Sequence, residues 1–188
     1  MPGPEAIRGR QSLYRRVDQI RGQLPAGDLL YTAQALIPVY FHPFDGRCLG
    51  AVIMGEDCIL VNSSYPRTAQ RFSLAHEMIH LFLHIRPHAS RGRWDEWQAN
   101  EGAAQLLVPY QSFLPEVARR RALYSQDRRA LERLLAKRYG VSPTVIRNRF
   151  SDLCAPLENH LAGCPLEQVF SPGGRALRPA SGNIDVFR

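Results

Sequence analysis

Ala75-His76-Glu77-Met78-Ile79-His80 decides how this chain is read. On a helix, residues four apart lie one turn above each other on one face. His76 and His80 can therefore aim an imidazole nitrogen each at a single point. Zinc takes nitrogen ligands at about 2.0–2.1 Å, and two such donors on one helix face suit it. Glu77 stands one step round the helix. Its carboxylate is poorly placed to join the same donor set, but it can reach a water beside the metal, as a general base must.

The neighbours strengthen this reading. Leu74, Ala75, Ile79, Leu81, Phe82 and Leu83 make the helix strongly apolar. Two histidines and a glutamate buried in such a helix without partners would be costly, and metal ligation satisfies them. Helical periodicity runs from Arg67 to about Ile85, after Ser63-Ser64-Tyr65-Pro66 and before Pro87. A catalytic zinc needs a third protein ligand and an open position. His84 lies one turn past His80, about 6 Å further along the axis, so it is expected behind the ligands rather than among them. His88 follows Pro87 at a spacing that fits no extended three-histidine motif. The remaining candidates are Glu96 and Glu101, with Asp95, on a second helix from about Asp95 to Val108. Glu96 is preferred. It shares a face with Ala99, Asn100, Ala103 and Leu107, and the two alanines would allow close packing on the histidine helix. Glu101, on the face of Trp97, Ala104 and Val108, is the alternative.

Upstream, apolar spacing predicts an amphipathic helix over residues 6–24 and a short helix over 29–36. Three strand-like runs follow: Val39-Tyr40-Phe41, Leu49 to Met54, and Cys58 to Asn62. Gly55-Glu56-Asp57 reads as a hairpin turn, and Pro43-Phe44-Asp45-Gly46 also has turn chemistry. Downstream, helices fit 115–123, 127–139 and 143–153, and the tail after Pro156 reads as irregular. The fold expected is α+β: a small antiparallel sheet packed on two metal-bearing helices, with a helical C-terminal segment. The division expected is a core over 1–110, a helical segment over 111–155 and a tail over 156–188.

Composition narrows the class. At 188 residues and 45% apolar the chain can bury a core. No stretch is apolar and long enough to span a bilayer, and no signal peptide is visible after Met1, so a cytoplasmic protein is expected. Cys48 and Cys58 read as reduced core thiols. Cys154, His160 and Cys164 lack the spacing of a zinc site. The net charge of +7 comes from arginine, Lys137 being the only lysine, and the plain reading is solvated surface.

A family resemblance rests on three stretches: Arg71-Phe72-Ser73-Leu74-Ala75-His76-Glu77-Met78-Ile79-His80-Leu81, the run from Glu96-Trp97-Gln98-Ala99-Asn100 to Pro109, and the approach Val61-Asn62-Ser63-Ser64-Tyr65-Pro66. Together they resemble the ImmA/IrrE metallopeptidases, over about residues 30–155. The resemblance implies a zinc endopeptidase of HExxH type that cleaves a helix-turn-helix transcriptional repressor at one place and so relieves repression of mobile-element or stress genes. Two positions depart from the family pattern. Gln98 stands where a second acid is common, and Gly102 replaces a usual aromatic, which would loosen the packing there and open the site.

On this reading Glu77 is the base, and zinc (or manganese or iron, as availability decides) sits on His76, His80 and Glu96. The strand at 58–63 would present an edge to an extended substrate. Tyr65 is the first candidate to assist the oxyanion, with Tyr31 and Tyr110 behind it. A competing reading comes from residues 131–150. Gly140-Val141-Ser142-Pro143 between two helical runs fits a helix-turn-helix, with Ser142 as cap and Arg147 and Arg149 facing nucleic acid. The chain would then be a DNA-binding or partner-binding regulator with a structural or sensory zinc. An intact Glu77 argues against a groove that only binds.

Overall fold

The computed structural model describes residues 7, 9–53, 55–83 and 92–170. It opens with α1 (Arg10–Gln23), whose buried face is Leu13, Tyr14, Val17 and Ile20. Helix α2 (Leu29–Thr32) follows, its first turn capped by the Asp28 carboxylate, which accepts from the Leu30 N–H. A 3-10 turn over Ala33–Ala35 leads to strand β1 (Val39–His42). Strands β2 (Gly50–Ile53) and β3 (Cys58–Asn62) complete a three-stranded sheet of order β1-β3-β2.

The sheet is mixed, where the sequence predicted an antiparallel one. β2 and β3 form the expected antiparallel hairpin, but β1 pairs parallel to β3, with Val39 beside Ile59 and His42 beside Asn62. The cause lies in residues 43–49. This segment is not a tight turn between neighbouring strands; it crosses the C-terminal end of β3 to reach the opposite edge. Asn62, fully buried, pins it: its Nδ2 donates to the carbonyls of Phe44 and Cys48, and its Oδ1 accepts from the N–H groups of Phe44 and Ser64. One buried amide, its donors and acceptor all satisfied, thus ties the loop to the end of β3.

Helix α3 (Arg67–Leu83) packs on β2 and β3, and α4 (Arg93–Leu107) packs on α3. Close approach is written into small residues: Ala75, Ala99 and Ala103 are completely buried. Gly102 belongs to the same crossing. A β-carbon there would stand 3.0–3.2 Å from the side-chain carbons of Ile79. Ile79 therefore fills the space beside residue 102, and the glycine lets α3 and α4 pack closely there rather than leaving an opening.

Helices α5 (Tyr110–Arg119), α6 (Arg121–Gln126), α7 (Arg128–Tyr139), α8 (Pro143–Asp152) and α9 (Cys154–Leu161) follow. α5 begins earlier than predicted and runs through Pro115, because Pro109 precedes its first turn and a missing N–H at one interior position costs one bond. Gly140, at φ 63°, ends α7 in the left-handed conformation, and the Ser142 hydroxyl caps α8 by accepting from the Val145 N–H. The tail predicted as irregular from 156 is helical to Leu161, and Val169 and Phe170 still pack on the core; Pro156 sits in the first turn of α9, where proline is tolerated. One contiguous set of buried residues runs from Leu13 to Val169, so α3 and α4 share a core with the helices behind them. No helix among the described residues is long and apolar enough to cross a membrane.

Candidate metal centre

α3 and α4 bring His76, His80 and Glu96 together. The two Nε2 atoms lie 3.0 Å apart. The Glu96 carboxylate places Oε1 3.2 Å from His80 Nε2 and Oε2 3.4 Å from His76 Nε2. Donors held tetrahedrally at about 2.0–2.1 Å from a zinc ion are separated by about 3.3 Å. The three observed separations bracket that figure, and two imidazoles with one carboxylate are a zinc-type donor set, so the residues present fit the ion. His80 is buried, His76 is 17% exposed at its side chain and Glu96 43%, so the cluster opens to solvent on the Glu96 side. Hydrogen bonds from His76 and His80, partly opposed by burial, hold the Glu96 carboxyl well below the usual carboxylate range.

Asn100, one turn beyond Glu96 on α4, joins the site although its sequence context gave it no role there. Its Oδ1 lies 3.1 Å from His76 Nδ1. An amide oxygen there can accept an Nδ1 proton, and a neutral ring held in that tautomer would offer its Nε2 lone pair to a metal. The available signal was its shared face with Glu96. Gln98, where a second acid is common, lies about 200° round α4 from Glu96 and is buried. Its substitution leaves the cluster intact.

Glu101, the alternative ligand, is not in the cluster. Its Oε1 lies 2.9 Å from Arg149 Nη1 and accepts from the Tyr14 hydroxyl, while its Oε2 lies 3.1 Å from Arg10 Nη2. Five residues on α4 turn its carboxylate to the far side of the helix from Glu96. Arg149, expected to face nucleic acid, is completely buried here. It also donates through Nε to the Val108 carbonyl, 3.0 Å away, and through Nη2 to Gln105 Oε1. Burial is the main reason the Tyr14 hydroxyl is raised well above the usual phenol range, with the Arg149 charge opposing it.

Glu77 is buried on α3, and β2 passes directly over it. A β-carbon on Gly50 would overlap Ser73 Oγ, stand 3.0 Å from the Leu60 carbonyl and lie 3.6 Å from Glu77 Cγ. Only glycine lets the strand run this close to the helix. The free edge beside Glu77 is therefore β2; the run at 58–63, expected as the edge, is the central strand β3. The Leu49 carbonyl accepts from the Asn62 N–H, so the alternating pattern turns the backbone groups of Gly50 and Val52 outward. Cys48 is exposed, not a core residue, and its thiol donates to the Gly50 carbonyl at 3.2 Å.

The three tyrosines considered for the oxyanion have partners of their own. Tyr65 donates to the Gly46 carbonyl at 3.2 Å, Tyr31 accepts from Arg67 Nη1, and Tyr110 stacks on Tyr14. His84 and His88 lie outside the described residues. Among the described residues Cys154, His160 and Cys164 form no second metal cluster.

An α+β fold that sets a His-Glu-x-x-His helix against a carboxylate-bearing helix is zincin-like. The chain belongs to the family of the IrrE N-terminal-like domain, Peptidase M78, whose profile matches residues 29–151. Among solved structures it is similar to a Mycobacterium tuberculosis transcriptional regulator, at 18% identity and a TM-score of 0.52 over 76% of this chain. That likeness is one of fold, and it spans 46% of the regulator's length. No curated protein matches the sequence.

Proposed function

We propose that this chain is a zinc-dependent endopeptidase that cleaves a helix-turn-helix transcriptional repressor at one site. The observation that carries the peptidase reading is the convergence of His76, His80 and Glu96 beside a buried Glu77. The repressor as substrate is what the family resemblance implies.

His76 and His80 would hold the metal through Nε2 and Glu96 through its carboxylate. A zinc ion there supplies Lewis-acid polarisation and acidifies a water near pH 7. Glu77 takes the proton from the attacking water and returns it to the leaving amine. Asn100 keeps the His76 ring from turning. The outward groups of Gly50 and Val52 offer hydrogen bonds to an extended peptide laid along β2, which places its backbone beside Glu77. The Cys48 thiol would have to release the Gly50 carbonyl as the peptide docks.

The test compares purified wild type with Glu77→Gln, each with bound zinc quantified, on the repressor encoded nearest to this gene. The reading expects about one zinc in both and a single cut by wild type alone. Zinc-loaded wild type that cuts nothing, together with a Glu77→Gln variant that still relieves repression in cells, would overturn it.

A further inference from the structure

The positive charge of this molecule is concentrated rather than spread. Residues 110–153 hold ten of the 24 basic residues and only four of the 17 acidic ones, which leaves that segment with six of the seven net charges. The four acids do not dilute its outer surface evenly. Glu132 is buried and faces Arg128 and Arg147. Glu116, also buried, lies against three guanidinium groups: Arg119, Arg120 at 2.6 Å and Arg138 at 3.2 Å. Asp127 caps α7 at its N-terminus.

Helix α7 shows the consequence. Its inner half is Leu131, Glu132, Leu135 and Ala136. Its outer half carries Arg129, Arg133, Lys137 and Arg138 and no acid. Arg129, Arg133 and Lys137 follow one another at intervals of four, about 6 Å apart along the axis. All three are exposed, and none has an ion pair among the described residues. Arg138 joins this face to Arg119 and Arg120, and with Glu116 they line an open concavity of about 570 Å³. The buried carboxylate holds these three guanidinium groups together, while each keeps N–H donors to spare.

We propose that the outer face of α7, with Arg119 and Arg120 beside it, docks on the phosphodiester backbone of nucleic acid. The composition of the face selects this occupant. A protein interface has an apolar or aromatic centre with charge at its rim. Here the only large apolar side chain is Leu134, 39% exposed, and the rest is cation. Backbone binding needs only a row of cations with free donors and carries no base readout. It does not use α8 as a recognition helix, since that helix keeps Arg149 inside the core. The proposal is independent of the peptidase reading.

The experiment measures anisotropy of a labelled 20-base-pair duplex of mixed sequence, with the full chain, across a salt series. Wild type is expected to bind and to weaken steeply with salt. Replacing Arg129, Arg133 and Lys137 together by Gln should lower affinity at least tenfold and reduce the salt slope by roughly 0.9 for each phosphate no longer neutralised. Replacing Arg15, Arg16 and Arg47 by Gln removes the same charge elsewhere and should cost much less. Arg129→Lys with Arg133→Lys, which keeps the charge and the fold, should retain binding. No binding by wild type, or equal losses in the two neutralised variants, would overturn the proposal. So would displacement of the duplex by polyglutamate of equal charge, which would make an acidic protein the partner.

Discussion

Arg149 Nη1 lies 2.9 Å from Glu101 Oε1, and both side chains are buried between α8, α4 and α1. Glu101 is thus a counter-ion of Arg149, five residues along the same helix from the carboxylate that meets His76 and His80. The two acids should fail in different ways. Glu101→Ala leaves a buried guanidinium without its carboxylate, and breaking such a pair costs about 3–5 kcal/mol; denaturant unfolding should show it. Glu96→Gln, at a half-exposed position, should cost the metal-free protein less stability than Glu101→Ala does and should weaken zinc binding. A stable Glu101→Ala variant that no longer binds zinc would reverse the assignment.

Asn100 makes a narrower prediction. Asn100→Ala removes the acceptor of the His76 Nδ1 proton while leaving all three proposed ligands in place. Loss of such an outer partner typically costs 10–100-fold in metal affinity. Competition with a chromogenic chelator measures it. An unchanged zinc affinity would reduce the interaction to packing.

Gly50→Ala tests the closeness of β2 to α3. The added methyl meets Ser73 Oγ and the Leu60 carbonyl, so the strand must move off the helix, at a cost of about 1–3 kcal/mol. Peptide cleavage should fall through a raised KM if β2 is the docking edge. Adding Ser73→Gly relieves one of the two clashes and should restore part of the stability.

Asp152 sets a pH dependence. Burial, with the Glu101 charge next, raises its carboxyl to about 7, against the pull of Arg10 and Arg149. The folded protein therefore keeps this proton where the unfolded chain has released it, and stability falls as pH rises from about 4 to about 7. Asp152→Asn mimics the protonated form. It should leave the thermal midpoint nearly unchanged at pH 4 and raise it at pH 8. A lowered midpoint at pH 8 would show that the charged form is the favoured one.

Much of the centre was legible because helical spacing is local. His76 and His80 four apart, and Glu96 on the small-residue face with Ala99 and Ala103, follow from a period of 3.6, and the structure brings their donor atoms together. What was missed depends on residues distant in sequence. Nothing near Val39 says that β1 will lie parallel to β3; that follows from Asn62 pinning a loop 18 residues upstream. Glu101 and Arg149 each look like surface charges until α8 is laid against α4. Gly50 reads as an ordinary strand residue until Ser73 and Glu77 arrive beneath it, and Cys58 and Cys48 look alike until the sheet order puts one inside and one at the edge.

The bond from Arg149 Nη1 to the Tyr14 hydroxyl, 2.5 Å long, closes a span of 135 residues. A ribosome delivers the N-terminal end first. When α1, α3 and α4 have emerged, Glu101 and Tyr14 still wait for the guanidinium that completes their pocket, and α8 is yet to be made. Helix α4, which carries Glu96, therefore completes its packing against Arg149 only near the end of synthesis. A chain broken off before α8 would carry every proposed ligand and keep the Arg10–Glu101 pair, but lack the buried guanidinium that Tyr14, Glu101 and Gln105 share.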